Sequence, residues 1–287
     1  MRTKIFCVII FSIFLSGCNS FKLFAVNLPS NINGDFNLKE DIKYGKKSWQ
    51  KLDVYTPSAG ASKAPVVIFI HGGKWKVGSK DDYLFVGDAL AAKGYVAVLP
   101  SYIKWPKGEF PDFMYDAAKA VKWVENNIEK YGGDKNNIYL MGHSAGAHIA
   151  SLVVADERYF KKEGVSRKNI RGIIGLAGPY AFNPGKFYLT KVFGGKENFP
   201  DSQVINFIKG KEPPFLLLHG VKDDLVNPIQ STVLANRIRE KGGEVRVIKF
   251  KKLDHKTLIA SLSRLFKSDR TVLNKISEFI CTNTKKR

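Results

Sequence analysis

The stretch IYLMGHSAGAHIA, residues 138–150, decides how this chain is read. An apolar run stops at Gly142-His143-Ser144-Ala145-Gly146 and then resumes with helix-favouring alanines. This is the G-x-S-x-G pattern in the setting that gives it meaning, between a strand and a helix. A strand that turns directly into a helix strains the backbone at the central serine. Glycines two residues to either side remove side chains that would collide there. The turn lifts the Ser144 hydroxyl clear of the sheet. It also points the backbone N–H of Ala145, at a helix N-terminus, to where an oxyanion would form.

The flanking sequence repeats the same alternation. APVVIFIHGG holds a continuous apolar run at Val66–Ile70 stopped by glycines, which suits a strand buried on both faces. YVAVLP, NIYLMG, IRGIIGLAG, PPFLLLHG and EVRVIKF read as further strands. Helices are expected between them: LFVGDALAAKG closed by Gly94, a stripe through Ala117, Ala120, Val121, Val124 and Ile128, and residues 145–155 and 228–241. A last helix carries Val272, Leu273, Ile276, Phe279 and Ile280 on one face. Strands alternating with helices predict an α/β fold, a mostly parallel sheet with helices on both faces. DIKYG and QKLDVYTP predict antiparallel strands at one edge. Residues 179–212 are long and irregular. In this architecture they form a short cap insertion above the carboxyl ends of the strands, where ligands bind.

A serine alone is a poor nucleophile and needs a base and a group to orient that base. His255, just after EVRVIKF, is the only histidine beyond residue 219, which makes it the candidate base. Asp223 and Asp224 follow a strand end, and Asp254 precedes the histidine, so all three compete for the orienting role. In FIHGGKW, residues 69–75, a glycine pair directly after a buried strand can turn backbone N–H groups toward a reacting carbonyl. His71 is expected to brace that loop. Trp75 is read either as a cavity wall or as core, and His143 and His148 as structural.

HGGKW, GHSAGAHIA and HGVKDDLVNP together resemble the α/β-hydrolase superfamily, in particular the BD-FAE-like carboxylesterases with an HGG-x-W oxyanion motif. These stand near the hormone-sensitive-lipase and kynurenine-formamidase relatives. QKLDVYTP, FPDFMYDAAKAVKWV and YGGDKNNIYLMGHSAGAH extend the likeness over about residues 41–281. The resemblance implies an α/β-hydrolase fold and a triad of Ser144, Asp223 and His255. The family's acid stands in H-G-x-x-D-x-x-V, filled here by His219, Gly220, Asp223 and Val226, which favours Asp223 over Asp224. Gly72, Gly73 and Ala145 match the oxyanion positions. With two glycines where lipase-like relatives often have three, the Lys74 N–H joins the candidates. Tyr102-Ile103-Lys104 replaces the usual Tyr-Arg-Leu, so the local salt-bridge arrangement must differ. The implied activity is cleavage of carboxylic esters through an acyl-enzyme, with no metal or organic cofactor. The short cap argues for small or medium acyl groups. The alternatives are an amidase, formamidase or peptidase on the same triad, or a non-catalytic binding lipoprotein. Complete motifs at all three triad positions speak against the last.

The 287 residues, 44% hydrophobic and 25% charged, suit one large globular domain. The net charge of +20 is unusual. It fits a lysine-rich surface or attraction to an anionic membrane. No basic stripe interleaved with aromatics points to nucleic acid. Cys7, Cys18 and Cys281 give no disulfide framework, and no Cys, His, Asp or Glu spacing reads as a metal site. The opening MRTKIFCVIIFSIFLSGC has Arg2 and Lys4, an apolar run at residues 5–15 and a small-residue cleavage site. That run is shorter than the about 20 residues a membrane span needs. Leu-Ser-Gly-Cys resembles the lipobox of bacterial lipoproteins. The resemblance implies removal of residues 1–17 and lipid on Cys18. Residues 19–38 contain Asn, Ser and Pro without clear period and read as a tether, so the expected division is a leader over 1–17, lipidated Cys and tether over 18–38 and a hydrolase domain over 39–287. Asn19, in place of an inner-membrane-retaining Asp, favours the outer membrane if the cell has one. The expected partners are a small ester and a membrane reached through Cys18.

Overall fold

Alternate residues of one strand face opposite sides of a sheet. In this chain both sides are covered. Val66, Ile68 and Ile70 pack into one apolar cluster and Val67 and Phe69 into another, all almost fully buried. The same split divides Ile138 and Leu140 from Tyr139 and Met141. The computed structural model describes residues 19–185, 188–266 and 269–285. The leader, residues 1–17, and Cys18 lie outside them.

The eight strands are β1 (Phe36–Lys43), β2 (Lys51–Pro57), β3 (Ala64–Ile70), β4 (Val96–Pro100), β5 (Gly133–His143), β6 (Ile170–Leu176), β7 (Phe215–Gly220) and β8 (Val245–Phe250). They lie in the order β1-β2-β4-β3-β5-β6-β7-β8. β1–β2 and β2–β4 pair antiparallel, and every later pair is parallel. The expected α/β class, parallel centre and antiparallel edge are all present. One face carries α3 (Asp112–Asn127), α4 (Ala145–Ala155) and α7 (Ile229–Glu240). The other carries α2 (Leu84–Ala91), α8 (His255–Ala260) and α9 (Thr271–Lys285). The short helices α5 (Glu157–Glu163) and α6 (Leu189–Val192) follow α4 in the chain. The stripe expected on the last helix, Val272, Leu273, Ile276, Phe279 and Ile280, is buried against the second face.

The expected tether over residues 18–38 needs correction. Asn19–Asn33 is a helix, α1, and the chain is already in β1 from Phe36. Polar side chains tie this helix to the rest of the domain. Asn27 Nδ2 donates to Asp82 O at 3.1 Å, and its Oδ1 accepts from the Phe85 N–H at 3.1 Å. Ser30 Oγ donates to Asp88 Oδ2 at 2.7 Å, and Ser263 Oγ donates to Val26 O at 2.7 Å. Val26 is buried in the second apolar cluster. The buried apolar residues run from Val26 to Ile280, so the chain from Asn19 onward carries the whole described core.

The 179–212 stretch consists of α6 and short 3-10 turns at Lys196–Asn198, Pro200–Ser202 and Val204–Phe207. Its own Val192, Phe193 and Val204 are fully buried. Phe193 meets Trp75 edge-on at 4.9 Å and Phe182 at 5.2 Å. Trp75 is therefore both core and wall. Asp116, near the place of the missing Arg, accepts instead from Trp49 Nε1, Gln50 Nε2 and the Ile103 N–H, at 2.9, 2.6 and 2.8 Å. Three neutral donors satisfy it.

Candidate active site

The site is assembled at the carboxyl ends of β3, β5, β7 and β8. Ser144 sits between β5 and α4 with φ 56° and ψ −121°, a region L residues adopt only under constraint. The Ser144 N–H donates to Leu176 O on β6 at 2.9 Å, and its carbonyl accepts from the Ala147 and His148 N–H groups at 3.0 and 3.2 Å. The flanking glycines are needed sterically. A Cβ on Gly146 would overlap the Ile70 carbonyl, and one on Gly142 would overlap that of Gly146.

His255 opens α8 on the loop after β8. Its Nδ1 lies 2.8 Å from Asp223 Oδ2. A carboxylate can only accept, so Nδ1 carries the proton and Nε2 is left as the base. Asp223 ends the turn after β7 with its side chain fully buried. Its Oδ1 accepts from the Leu225 and Val226 N–H groups at 3.0 and 2.8 Å. Burial alone would raise this carboxyl. Hydrogen bonds from His219, His255 and the Val226 amide outweigh it and hold the carboxyl well below the usual carboxylate range. The rivals are placed otherwise. Asp224 is exposed. Asp254 caps α8, accepting from the Lys256 and Thr257 N–H groups at 2.9 and 2.8 Å.

His219 is a participant the sequence reading left as a motif letter. Its Nε2 is 2.9 Å from Val226 O and 3.2 Å from Asp223 Oδ2. A carbonyl only accepts, so Nε2 carries the proton and Nδ1 accepts from Ser231 Oγ at 2.8 Å. His219 thus supports the same carboxylate oxygen, Oδ2, that meets His255. His143 Nε2 donates to His255 O at 3.0 Å, tying the elbow to the histidine loop, and His148 Nε2 donates to Ser202 O at 2.8 Å. Neither has a signal in sequence spacing, since each partner is a backbone carbonyl far along the chain.

The loop after β3 is wound tightly. Gly73, Lys74 and Trp75 have φ of 126°, 57° and 56°, and the Lys76 and Val77 N–H groups both donate to Gly73 O. A Cβ on Gly73 would overlap Val77 O. His71 braces this loop: its Nδ1 donates to Gly72 O at 2.7 Å, its ring stacks on Tyr102 at 4.4 Å, and the Tyr102 hydroxyl donates to its carbonyl at 3.0 Å. Gly72 lies against Ser144, where an added Cβ would come within 3.3 Å of the serine Cβ.

These parts surround one cavity of about 860 Å³. Ser144, His143, His255, Gly72 and Gly73 line it, with Trp75, Phe182, Tyr188 and Leu189 on one side. Val26, Phe85, Ile259 and Ala260 also face it. Among the described residues no group of three or more His, Cys, Asp or Glu could hold a metal ion.

Three imidazoles around the site are neutral by burial first of all. His71 and His143 are pulled down to about 3 and His148 to about 4, from an ordinary 6.5. The unfolded chain therefore binds more protons than the folded one between about pH 6.5 and 4, and stability falls as pH falls through that window. Urea unfolding at stepped pH is expected to follow this decline. His148→Gln should make it shallower by about 1.4 kcal/mol per pH unit, the share of one proton. An unchanged slope would mean that this imidazole titrates normally.

A family model described as BD-FAE matches residues 52–238. An isoprenylcysteine alpha-carbonyl methylesterase of Arabidopsis thaliana is 30% identical over 243 residues, covering 77% of this chain and 57% of that protein. Esterase LipC of Mycobacterium tuberculosis is 31% identical over 219 residues, covering 69% of this chain and 54% of its own length. The chain thus spans little more than half the length of these relatives. The crystal structure of esterase B from Lactobacillus rhamnosis superposes with a TM-score of 0.76 at 22% identity, covering 92% of this chain and 93% of that one. At that identity the match speaks for the fold, which is that of an α/β-hydrolase.

Proposed function

This chain belongs to the BD-FAE family, and from that premise we propose that it is a serine hydrolase of carboxylic esters acting through an acyl-enzyme on Ser144. The observation that carries the reading is the buried Asp223–His255 pair, 2.8 Å apart, on the same cavity as a serine held in a strained turn. Ser144 Oγ attacks the ester carbonyl while its proton passes to His255 Nε2. Asp223 holds the imidazole in the required tautomer and offsets its positive charge. The tetrahedral oxyanion is stabilised by backbone N–H groups. The Gly72, Gly73 and Ala145 amides are the candidate donors and the Lys74 amide the next. His255 returns the proton to the departing alcohol. A water, deprotonated by the same nitrogen, then releases the acid. The many apolar side chains lining the cavity around the serine fit esters that carry carbon groups. The relatives' printed names, a methylesterase and an esterase, support esters before amides.

A fluorophosphonate probe is expected to add covalently to the peptide containing Ser144 and to leave Ser144→Ala unlabelled, as read by mass spectrometry. Failure of the wild-type protein to label would remove the hydrolase reading.

The proposal extends to the cell envelope, with Cys18 as the acylated N-terminus. In bacterial cells the wild-type chain is expected to stay with membranes after a high-salt wash, and Cys18→Ser to be released. Equal retention of both would remove the lipid anchor.

A further inference from the structure

Among the described residues, six large apolar side chains stand exposed, and their positions are not scattered. Leu28 and Ile32 are on α1, Val77 is in the loop after β3, and Val221, Leu225 and Ile229 follow β7. These are segments that also build the cavity, through Val26 and residues 72–75, 77–78 and 225–227. Val77 and Leu225 line its mouth while remaining 58% and 52% exposed.

Cations are interleaved with them. Lys74 and Lys256 line the cavity and are exposed, and exposed Lys76 and Lys222 stand next to Val77 and Val221. Carboxylates nearby are largely engaged. Asp82 lines the cavity and accepts from the Ser79 N–H, exposed Asp81 shares Lys80 with Asp41 and Asp53, Asp223 is buried, Asp254 caps its helix, and Asp224 is exposed. Exposed apolar groups among lysines are the composition of a surface that binds anionic lipid: the apolar groups enter the headgroup layer and the ammonium groups meet its charge. The chain's net charge of +20 supplies attraction at longer range.

We propose that the cavity rim docks on an anionic lipid surface with its mouth toward the headgroups, so that esters dissolved in that surface reach Ser144 directly. The delivery of esters rests on the hydrolase reading; the docking does not.

Flotation of the chain from Asn19 onward, which has no acylated cysteine, tests the docking. It is expected to bind vesicles of phosphatidylcholine containing phosphatidylglycerol and not vesicles of phosphatidylcholine alone. Lys76→Glu with Lys222→Glu should weaken binding by roughly thirtyfold or more. Lys63→Glu with Lys130→Glu changes the net charge equally at the opposite ends of the strands and should weaken it far less. Equal loss from the two pairs would show attraction by net charge alone and overturn the docking face, as would no binding to anionic vesicles. Ser144→Ala is expected to bind as the wild type does. A chain that binds in this pattern but hydrolyses no ester would sink the hydrolase reading and leave the docking face standing.

Discussion

Ser144→Ala is expected to lower kcat/KM for a p-nitrophenyl ester by about 10⁵–10⁶-fold, with the fold unchanged. The size follows from what the hydroxyl does. It forms the covalent bond of the intermediate, and neither His255 nor the oxyanion loop can substitute for it. What remains is positioning and oxyanion stabilisation for attack by water, worth about 10³–10⁴ over the uncatalysed rate. The substitution is gentle to the structure. The elbow is set by backbone bonds, the Ser144 N–H to Leu176 O and the Ala147 and His148 N–H groups to Ser144 O, which alanine keeps. Far-ultraviolet circular dichroism and the urea midpoint should therefore match the wild type. Hydrolysis reduced less than tenfold, in a variant that is folded, would place the nucleophile elsewhere.

The parts of this site differ in how far the sequence discloses them. Ser144 is legible because its requirements are local: an apolar strand before it, glycines at 142 and 146, and an alanine helix after it. The same holds for Val66–Ile70, whose unbroken apolar run follows from burial on both faces. His255 follows from exclusion and chain order, as the only histidine beyond residue 219. Other features rest on contacts between distant residues. α1 carries Pro29 and several polar residues, and it is fixed by bonds from Asn27 to Asp82 and Phe85 and from Ser30 to Asp88. No period in residues 19–33 encodes those partners, so the segment reads as a tether although Val26 closes part of the cavity. His219 acts through Asp223 and Val226, contacts invisible until the turn after β7 is folded.

The choice between neighbouring carboxylates has the same origin, and it gives the second large effect. Asp223→Asn is expected to lower kcat by about 10⁴-fold, whereas Asp224→Asn stays within about twofold. In the folded chain Asp223 Oδ1 accepts from the Leu225 and Val226 amides, and Oδ2 accepts from His255 Nδ1. An asparagine can keep its carbonyl oxygen on the two amides, so the turn survives. Its NH₂ group must then face His255 Nδ1, and two donors cannot share that position. The imidazole responds by moving its proton to Nε2, where the base is needed, and the charge that offsets the imidazolium is lost as well. Asp224 is exposed and makes no such contact. Asp254→Asn separates structure from chemistry. It weakens the cap of α8, at a cost of about 1 kcal/mol or less, without touching the imidazole, so its signature is a lower urea midpoint with kcat nearly retained. Stopped-flow measurement of acyl-enzyme formation in the three variants distinguishes these outcomes. A collapse of that step in Asp224→Asn, with Asp223→Asn close to wild type, would transfer the orienting role to the exposed carboxylate and require the turn after β7 to rearrange before catalysis.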